Sequence, residues 1–355
     1  MKYLSRFLLN ICIFAPMNTN GFSLRLLKWY SEHGRDLPWR KTDDAYRIWV
    51  SEIILQQTRV AQGYEYYLRF VRRFPTVEAL ANAEEDEVMQ QWQGLGYYSR
   101  ARNLHAAAKQ VQQLGHFPDT YEEIRKLKGV GDYTAAAIAS FAFGLPHAVV
   151  DGNVYRVLSR YFGIDTPIDS TQGKRLFATL AQEMLVVSEP STYNQAIMDF
   201  GAVQCVPKSP QCAACPLAED CQAWLTNRVG EFPVKGHETR VRDRYFCYIY
   251  IRYKGKTLLQ KRGGGDIWQG LYQVPMRETD VPMNQTDVQD WVGQYGRLTL
   301  LRSGYLHQLT HQRLHADMWL LEAERRPPFD GVWIAEKDRG EYAVPRLVEE
   351  LFQQV

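Results

Sequence analysis

Apolar positions at helical spacing dominate the first two-thirds of the chain. In residues 24–33, Leu24, Leu27 and Trp29 predict an opening helix, and Pro38 ends regular structure after it. A second helix is expected from Ala45 to about Thr58, capped by Asp43, with Ile48, Ile54 and Leu55 on its apolar side. Helical patterns continue over residues 63–113, broken at Phe74-Pro75-Thr76 and again by Gly94-Leu95-Gly96-Tyr97-Tyr98-Ser99-Arg100. A glycine turn at Gly129 and Gly131 feeds a further helix from about Thr134. Ala148, Val149 and Val150 then form a strand-like run, and helices resume near Val154 and continue to about Gly201. Beyond Arg244 the period falls to two: residues 245–253, 257–261, 271–275 and 314–321 read as strands, with helices near 285–294 and 344–353. The pattern describes an all-α region followed by a smaller α+β domain, without internal repeats, low-complexity tracts or a membrane-spanning segment.

A chain of 355 residues with 45% apolar content is long enough for two domains. The boundaries read as an N-terminal extension over 1–21, a helical domain over 22–223, a linker rich in Gly, Pro and alternating charge over 224–244, and a second domain over 245–355. A net charge of +2 neither demands nor excludes a nucleic-acid partner, so any DNA-binding face must be local. Four of the six cysteines crowd into residues 205–221, which points to a metal site in a reducing, intracellular compartment and away from a secreted disulfide frame. At the start, Lys2 and Arg6 precede an apolar run over 7–15 that resembles a short signal peptide but cannot anchor in a bilayer. The preferred reading is that Met17 is the true start, or that the segment is an extension.

Several residues carry candidate chemistry, each with a plainer alternative. The Gly129–Gly131 turn can grip an anion at a helix N-terminus, or can simply join two packed helices. Asp151 can stabilise a cation formed on a sugar, with Asn153 beside it, or can be only a helix cap. Glu52 lies in an apolar stretch between Val50 and Ile53, where it either turns to the surface or is held partly neutral, as a general acid requires. Arg35, Trp39 and Arg40 suit a phosphate or a stacked base, or the tryptophan plugs the core while the arginines sit in water. Gln57 and Thr58 can touch base edges, and the Gly94–Arg100 stretch has the composition of a wedge into a base stack. The spacing Cys205-x6-Cys212-x2-Cys215-x5-Cys221 suits four thiolates around a [4Fe–4S] cluster, with structural zinc as the alternative. Cys12 and Cys247 read as ordinary thiols.

Leu-Pro-Trp-Arg, Val-Ser-Glu-Ile-Ile-Leu-Gln-Gln-Thr-Arg-Val, Gly-Leu-Gly-Tyr-Tyr-Ser-Arg, Leu-Lys-Gly-Val-Gly-Asp-Tyr-Thr-Ala, Val-Asp-Gly-Asn-Val and the four cysteines together resemble the adenine DNA glycosylases of the MutY type, within the helix-hairpin-helix, iron–sulfur glycosylase superfamily. The resemblance runs from about residue 22 to the C-terminus. It implies an all-α helix-hairpin-helix region with a [4Fe–4S] loop and a C-terminal α+β MutT/Nudix-like domain. It also implies excision of adenine opposite 8-oxoguanine or guanine in double-stranded DNA, by a monomeric protein at the cytoplasmic nucleoid with no membrane partner.

By motif position the resemblance makes Glu52 the acid that protonates adenine and Asp151 the stabiliser of the oxocarbenium-like sugar, with Tyr133 and Asn153 in support. Arg40, Trp39, Leu55 and Gln195 fall in the adenine pocket. Gln57 and Tyr97 enter the stack beside 8-oxoguanine, with Thr58 and Leu95 near that base and Gly129 and Gly131 in the DNA-gripping turn. Cys205, Cys212, Cys215 and Cys221 hold the cluster. Leu309-Thr310-His311, after His307, match a Phe-Ser-His type recognition loop: the threonine keeps the hydroxyl and the leucine gives up the ring.

Two departures from related families sharpen the expectation. Tyr133 stands where the endonuclease III type carries a lysine nucleophile, which implies a glycosylase without an efficient lyase step. No Arg-Glu-x-x-Glu-Glu box lies between Gly263 and Gly296, so the second domain reads a base and does not hydrolyse nucleotides. The competing readings are an endonuclease III-like enzyme for oxidised pyrimidines, against which Tyr133 and the domain after Arg244 speak, and a non-catalytic DNA-binding or cluster-based sensor, against which two carboxylates in apolar surroundings speak.

Overall fold

The computed structural model describes residues 19–236 and 241–355, so the reading of the first residues as a leader or extension lies almost wholly outside the described residues. The helices in chain order are α1 (Thr19–His33), α2 (Ala45–Leu55), α3 (Val60–Arg73), α4 (Val77–Ala81), α5 (Glu85–Trp92), α6 (Ser99–Leu114), α7 (Tyr121–Ile124), α8 (Asp132–Phe143), α9 (Gly152–Phe162), α10 (Thr171–Met184), α11 (Pro190–Asp199) and α12 (Gln222–Leu225). Strands β1 (Arg242–Tyr253), β2 (Lys256–Lys261), β3 (Tyr272–Gln273) and β4 (Met276–Thr279) follow. After them come α13 (Gln285–Val292), β5 (Gly296–Gln308), β6 (Gln312–Ala323), β7 (Val332–Ala335) and α14 (Arg346–Phe352). The chain forms two compact units. One takes the residues up to Glu52 together with those from Phe117 to 236; the other takes Ile53–His116 together with the residues from 241 on.

In the first unit, α1, α8, α9, α10 and α11 meet around Phe22, Leu26, Trp29, Leu158, Phe177, Tyr193 and Phe200, all buried. Three local expectations are corrected here. The opening helix begins at Thr19, ahead of the first apolar position used to infer it. Asp44, and not Asp43, caps α2, its carboxylate accepting from the N–H groups of Tyr46 at 2.9 Å and Arg47 at 3.2 Å. The run 148–150 is not a strand: its N–H groups are met by side chains, Ala148 by Gln182 Oε1 at 3.0 Å and Val149 by Asn194 Oδ1 at 3.1 Å, so its backbone needs no sheet.

Helix α2 stops at Leu55, short of Thr58, because Gln57 turns into the left-handed region at φ 58°. In the second unit α3 to α6 pack around Phe70, Phe74 and Trp92, whose rings meet edge-on. The seven strands make a mixed sheet in the order β3-β2-β1-β6-β5, with β4 also on β1 and β7 on β2; β1 and β6 are parallel. Strand β1 is buried from Phe246 to Ile251, and the side-chain period of two splits that run between two cores. Phe246, Tyr248 and Tyr250 join Leu347, Val348 and Leu351 of α14, while Cys247, Ile249 and Ile251 join Val288 and Val292 of α13.

Three strands, β4, β5 and β7, were not legible in the sequence pattern. Strand β5 lies at the end of the sheet order, exposes Leu300 and Leu306, and carries register shifts between Leu300 and Tyr305, so no clean alternation survives. Shortening Ile249 to Ala is expected to cost about 2–5 kcal/mol of stability. Leu300→Ala, at 46% exposure, should change it by no more than about 0.5 kcal/mol. Denaturant unfolding of the two variants, followed by tryptophan fluorescence, measures the difference.

Candidate active site

Three helices of the first unit bring the candidate catalytic groups together. Glu52 sits in α2 at 6% exposure. Tyr133, in the first turn of α8, donates its hydroxyl to Glu52 Oε2 at 2.7 Å. Asp151 is the N-cap of α9: Oδ1 accepts from the N–H groups of Asn153 and Val154, both at 2.8 Å, and Oδ2 accepts from the Asn153 amide at 2.8 Å. Asp151 is therefore a helix cap, and its capped carboxylate belongs to the same unit as Glu52. Burial pushes Glu52 up to about 7, reinforced by the negative charge of Asp151 and opposed by the Tyr133 hydroxyl and Arg40. Burial also raises Asp151, against the N–H groups and amide that hold its anion and the charge of Arg156.

Arg35 and Arg40 neither sit in water nor stand free for a phosphate. Both clamp Asp199, the last residue of α11 and fully buried: Arg40 reaches its two oxygens at 2.6 Å, and Arg35 Nε reaches Oδ1 at 2.8 Å. Burial opposes ionisation of Asp199, yet the two guanidiniums hold it below the usual carboxylate range. Trp39, between them in sequence, is buried at 7% exposure. Gln195 accepts from the Tyr30 hydroxyl at 2.8 Å, and Arg40 lies over the Tyr30 ring. Asp199 is a residue that sequence reasoning missed; a single aspartate at the end of a helix carries no local signal of two arginine partners more than 150 positions away.

Helix α9 also faces the cysteine loop. Arg156 donates to Asn153 Oδ1 at 2.8 Å, to the Gly201 carbonyl at 2.6 Å and to the Cys205 carbonyl at 2.8 Å. One turn on, Arg160 donates to Cys205 Sγ at 3.4 Å and to the carbonyls of Val206 and Pro207. A Cβ at Gly201 would come within 2.6 Å of Asn153, so only glycine permits this approach. The four thiols, all free, line one pocket with Phe200 and Leu217 among its walls. Among the described residues no three His, Cys, Asp or Glu groups are placed to hold a metal ion. Burial pushes the Cys215 thiol up to about 12. Four soft donors around one cavity, with a guanidinium turned to one sulfur, fit a thiolate-bound group.

The glycine turn joins α7 to α8. Gly129 takes φ 76°, and Gly131 caps α8 with open space where a Cβ would stand, so an anion can approach the turn.

In the second unit some of the residues expected near the opposite base come together and others do not. Tyr97, half-exposed and in the left-handed region at φ 46°, shares a hydrogen bond of 2.7 Å with the Thr310 hydroxyl. Leu95, Tyr97, Leu309, Thr310 and His311 line one open pocket, while Leu55, Gln57 and Thr58 are outside its lining. Arg100, read in the sequence as part of the wedge, is instead buried and organises both stretches. It donates to the carbonyls of Ile53 and Ile54 at 2.8 and 3.0 Å and of Leu95 and Gly96 at 3.3 and 3.2 Å, and burial lowers it to about 10.

Residues 50–183 match the HhH-GPD superfamily of base excision DNA repair proteins, and residues 247–354 match the NUDIX domain. An adenine DNA glycosylase of Buchnera aphidicola subsp. Baizongia pistaciae is 34% identical, over 86% of this chain and 86% of that protein. The chain belongs to the adenine DNA glycosylase family. The Rattus norvegicus member is 44% identical, over 95% of this chain and 78% of that protein. A solved thermostable thymine-DNA glycosylase is 29% identical with a TM-score of 0.56, covering 60% of this chain and 99% of that one. An endonuclease III in a non-covalent DNA complex, at 24% identity and a TM-score of 0.51 over 58% of this chain and 94% of that one, shares the fold.

As a member of this family the protein is a DNA glycosylase, a hydrolase of N-glycosyl bonds that removes adenine in base excision repair. Among its described residues no helix is long and apolar enough to cross a membrane. In this adenine glycosylase the raised pKa of Glu52 has a consequence for stability. The folded value lies above the unfolded one, so the contribution is fully present below pH 4.5 and lost as pH rises through 7, by about 3 kcal/mol in all. Glu52→Gln should therefore melt close to the unsubstituted protein at pH 5 and clearly above it at pH 8, as calorimetry at the two pH values would reveal.

Proposed function

We propose that this glycosylase excises adenine lying opposite 8-oxoguanine and, more weakly, opposite guanine. The observation that carries the reading is the pairing of buried Glu52, which burial pushes up to about 7 and which carries the Tyr133 hydroxyl, with half-buried Asp151 held by N–H donors. Adenine inside a duplex is out of reach, so it is flipped into the site at a cost that a mispair lowers. Glu52, retaining a proton near pH 7, delivers it to the base and makes it a better leaving group. Asp151 offsets the positive charge that develops on the sugar, and its donors keep it in place as that charge grows. Glu52, now ionised, takes a proton from the attacking water. Asn153 and Arg156 position Asp151; Arg40, Trp39, Leu55 and Gln195 form the adenine pocket.

Tyr133 offers no amine, so the sugar is released by hydrolysis and no Schiff base forms. The Gly129–Gly131 turn grips a phosphate, Gln57 and Tyr97 enter the stack, and Thr58 and Leu95 lie near the opposite base. The Leu309-Thr310-His311 loop of the C-terminal reader reads it. Cys205, Cys212, Cys215 and Cys221 hold a [4Fe–4S] cluster, which when bound supplies a soft, four-thiolate anchor for the loop that Arg156 and Arg160 tie to α9. The glycosylase spans 22–223 and the reader 245–355, joined through 224–244. The protein works as a monomer at the cytoplasmic nucleoid.

Single-turnover assays on duplexes with A opposite 8-oxoguanine, G or T, and with thymine glycol opposite A, test this reading. Adenine should be lost opposite 8-oxoguanine and G, with strand breaks appearing only after alkali, and Glu52→Gln should be at least about 100-fold slower. Direct cleavage at thymine glycol would sink the reading. The purified protein should carry about four iron atoms per chain and lose most of them on Cys215→Ser; zinc in their place would exclude the cluster.

A further inference from the structure

Gln195 is bonded at both ends of its amide. Oε1 accepts from the Tyr30 hydroxyl at 2.8 Å, and Nε2 donates to the Ser191 hydroxyl at 3.2 Å, one turn back on α11. The two partners are not equivalent. A serine hydroxyl takes an N–H or gives its proton to a carbonyl equally well, so Ser191 tolerates either orientation of the amide. The phenol selects one: its proton has Gln195 Oε1 as acceptor, and an amide turned over would set an N–H against it. Burial raises the Tyr30 hydroxyl, reinforced by the charge of Asp199 and opposed by Arg40 and Arg35, which keeps that proton in place.

Tyr30 and Gln195 are both held by their neighbours. Gly34, whose N–H closes on the Tyr30 carbonyl at 2.8 Å, passes so near that a Cβ there would come within 2.9 Å of the ring Cε2. The Arg40 guanidinium, anchored on Asp199, lies over the ring with 5.9 Å to its centroid. Gln195 follows Asn194, whose amide joins Ser140, His147 and Val149, and precedes the clamped Asp199 by one turn, so α11 is pinned on either side of it. Glu52 feels the charge of Arg40, so this arrangement adjoins the candidate acid.

With one oxygen position and one N–H engaged, the amide has one acceptor position and one N–H left. Adenine matches them, with an N6–H to give and a ring nitrogen to receive, the pairing by which a glutamine reads adenine. Hypoxanthine and guanine carry O6 in place of that donor, and their O6 and N1–H fit only an amide turned over. We infer that Tyr30 is a positioning residue for base selection: its hydroxyl holds the Gln195 amide in the orientation that pairs with adenine and excludes a 6-oxopurine. This rests on Gln195 belonging to the adenine pocket proposed above.

Single-turnover excision by the full-length protein, on duplexes carrying adenine or hypoxanthine opposite 8-oxoguanine, tests the assignment. The unsubstituted protein should prefer adenine by at least about 100-fold, since a site built to hydrogen-bond one polar group rejects an analogue lacking it. Tyr30→Phe keeps the ring and frees the amide, which is then competent for each base about half the time. Adenine should be lost within about three-fold of the original rate, and hypoxanthine at least about ten-fold faster than before. Slowing of both bases together, as a merely structural defect would produce, would overturn the assignment, and so would full retention of the preference. In a Gln195→Glu background the two oxygens are equivalent and leave no orientation to select, so Tyr30→Phe should there change the adenine-to-hypoxanthine ratio by less than about two-fold. A larger change in that background would also count against Tyr30. If Gln195→Leu removes adenine at the unsubstituted rate, the pocket reading itself fails and the role of Tyr30 with it.

Discussion

Asp151 is a half-buried carboxylate whose two oxygens are both met by donors, and much of the first unit is arranged around those donors. Taking a carboxylate out of water is unfavourable unless donors replace the water. The head of α9 supplies two backbone N–H groups and the positive end of the helix dipole, and Asn153 adds a third donor. Those donors have requirements of their own. Asn153 is held by Arg156, which also binds the carbonyls of Gly201 and Cys205, and the close pass of residue 201 against Asn153 admits only glycine. The cysteine loop and the site carboxylate are thus supported by one helix, three residues apart on its surface.

Glu52 is treated in the opposite way. It has one hydroxyl donor where Asp151 has three donors, and it feels the charge of Asp151 nearby. That difference in donors favours the Asp151 anion over the Glu52 anion, while burial raises the proton affinity of both. Asp199 keeps Arg35 and Arg40 tied down beside them, so Arg40 tempers the pKa of Glu52 without neutralising it.

In the second unit the organising groups are again arginines satisfied by main-chain or carboxylate oxygen. Arg100 gathers the carbonyls at the end of α2 and in the Gly94–Gly96 turn, holding in place two stretches whose tips, Gln57 and Tyr97, adopt left-handed backbone conformations. Arg244 does the same for the 266 and 312 loops with Asp266, Glu278 and Gln312. Such conformations persist only where the surroundings over-determine them.

The sequence by itself determined the helical first part, the cysteine spacing, the glycine turn, and Glu52 and Asp151 as candidates, because each is a local pattern: a period, a cap, a spacing, a charge in an apolar run. It also placed β1, β2, β3 and β6, as short runs rich in aromatic, β-branched and other apolar residues. Only the tertiary structure decided that Asp44 caps α2, that 148–150 is satisfied by Gln182 and Asn194, and that Arg35 and Arg40 belong to Asp199. It alone showed β5, the outermost and bulged strand, and joined Tyr97 to Thr310 across 213 positions. These depend on which distant groups meet when both cores form, and a hydrogen bond between residues far apart in the chain leaves no periodic trace in either segment.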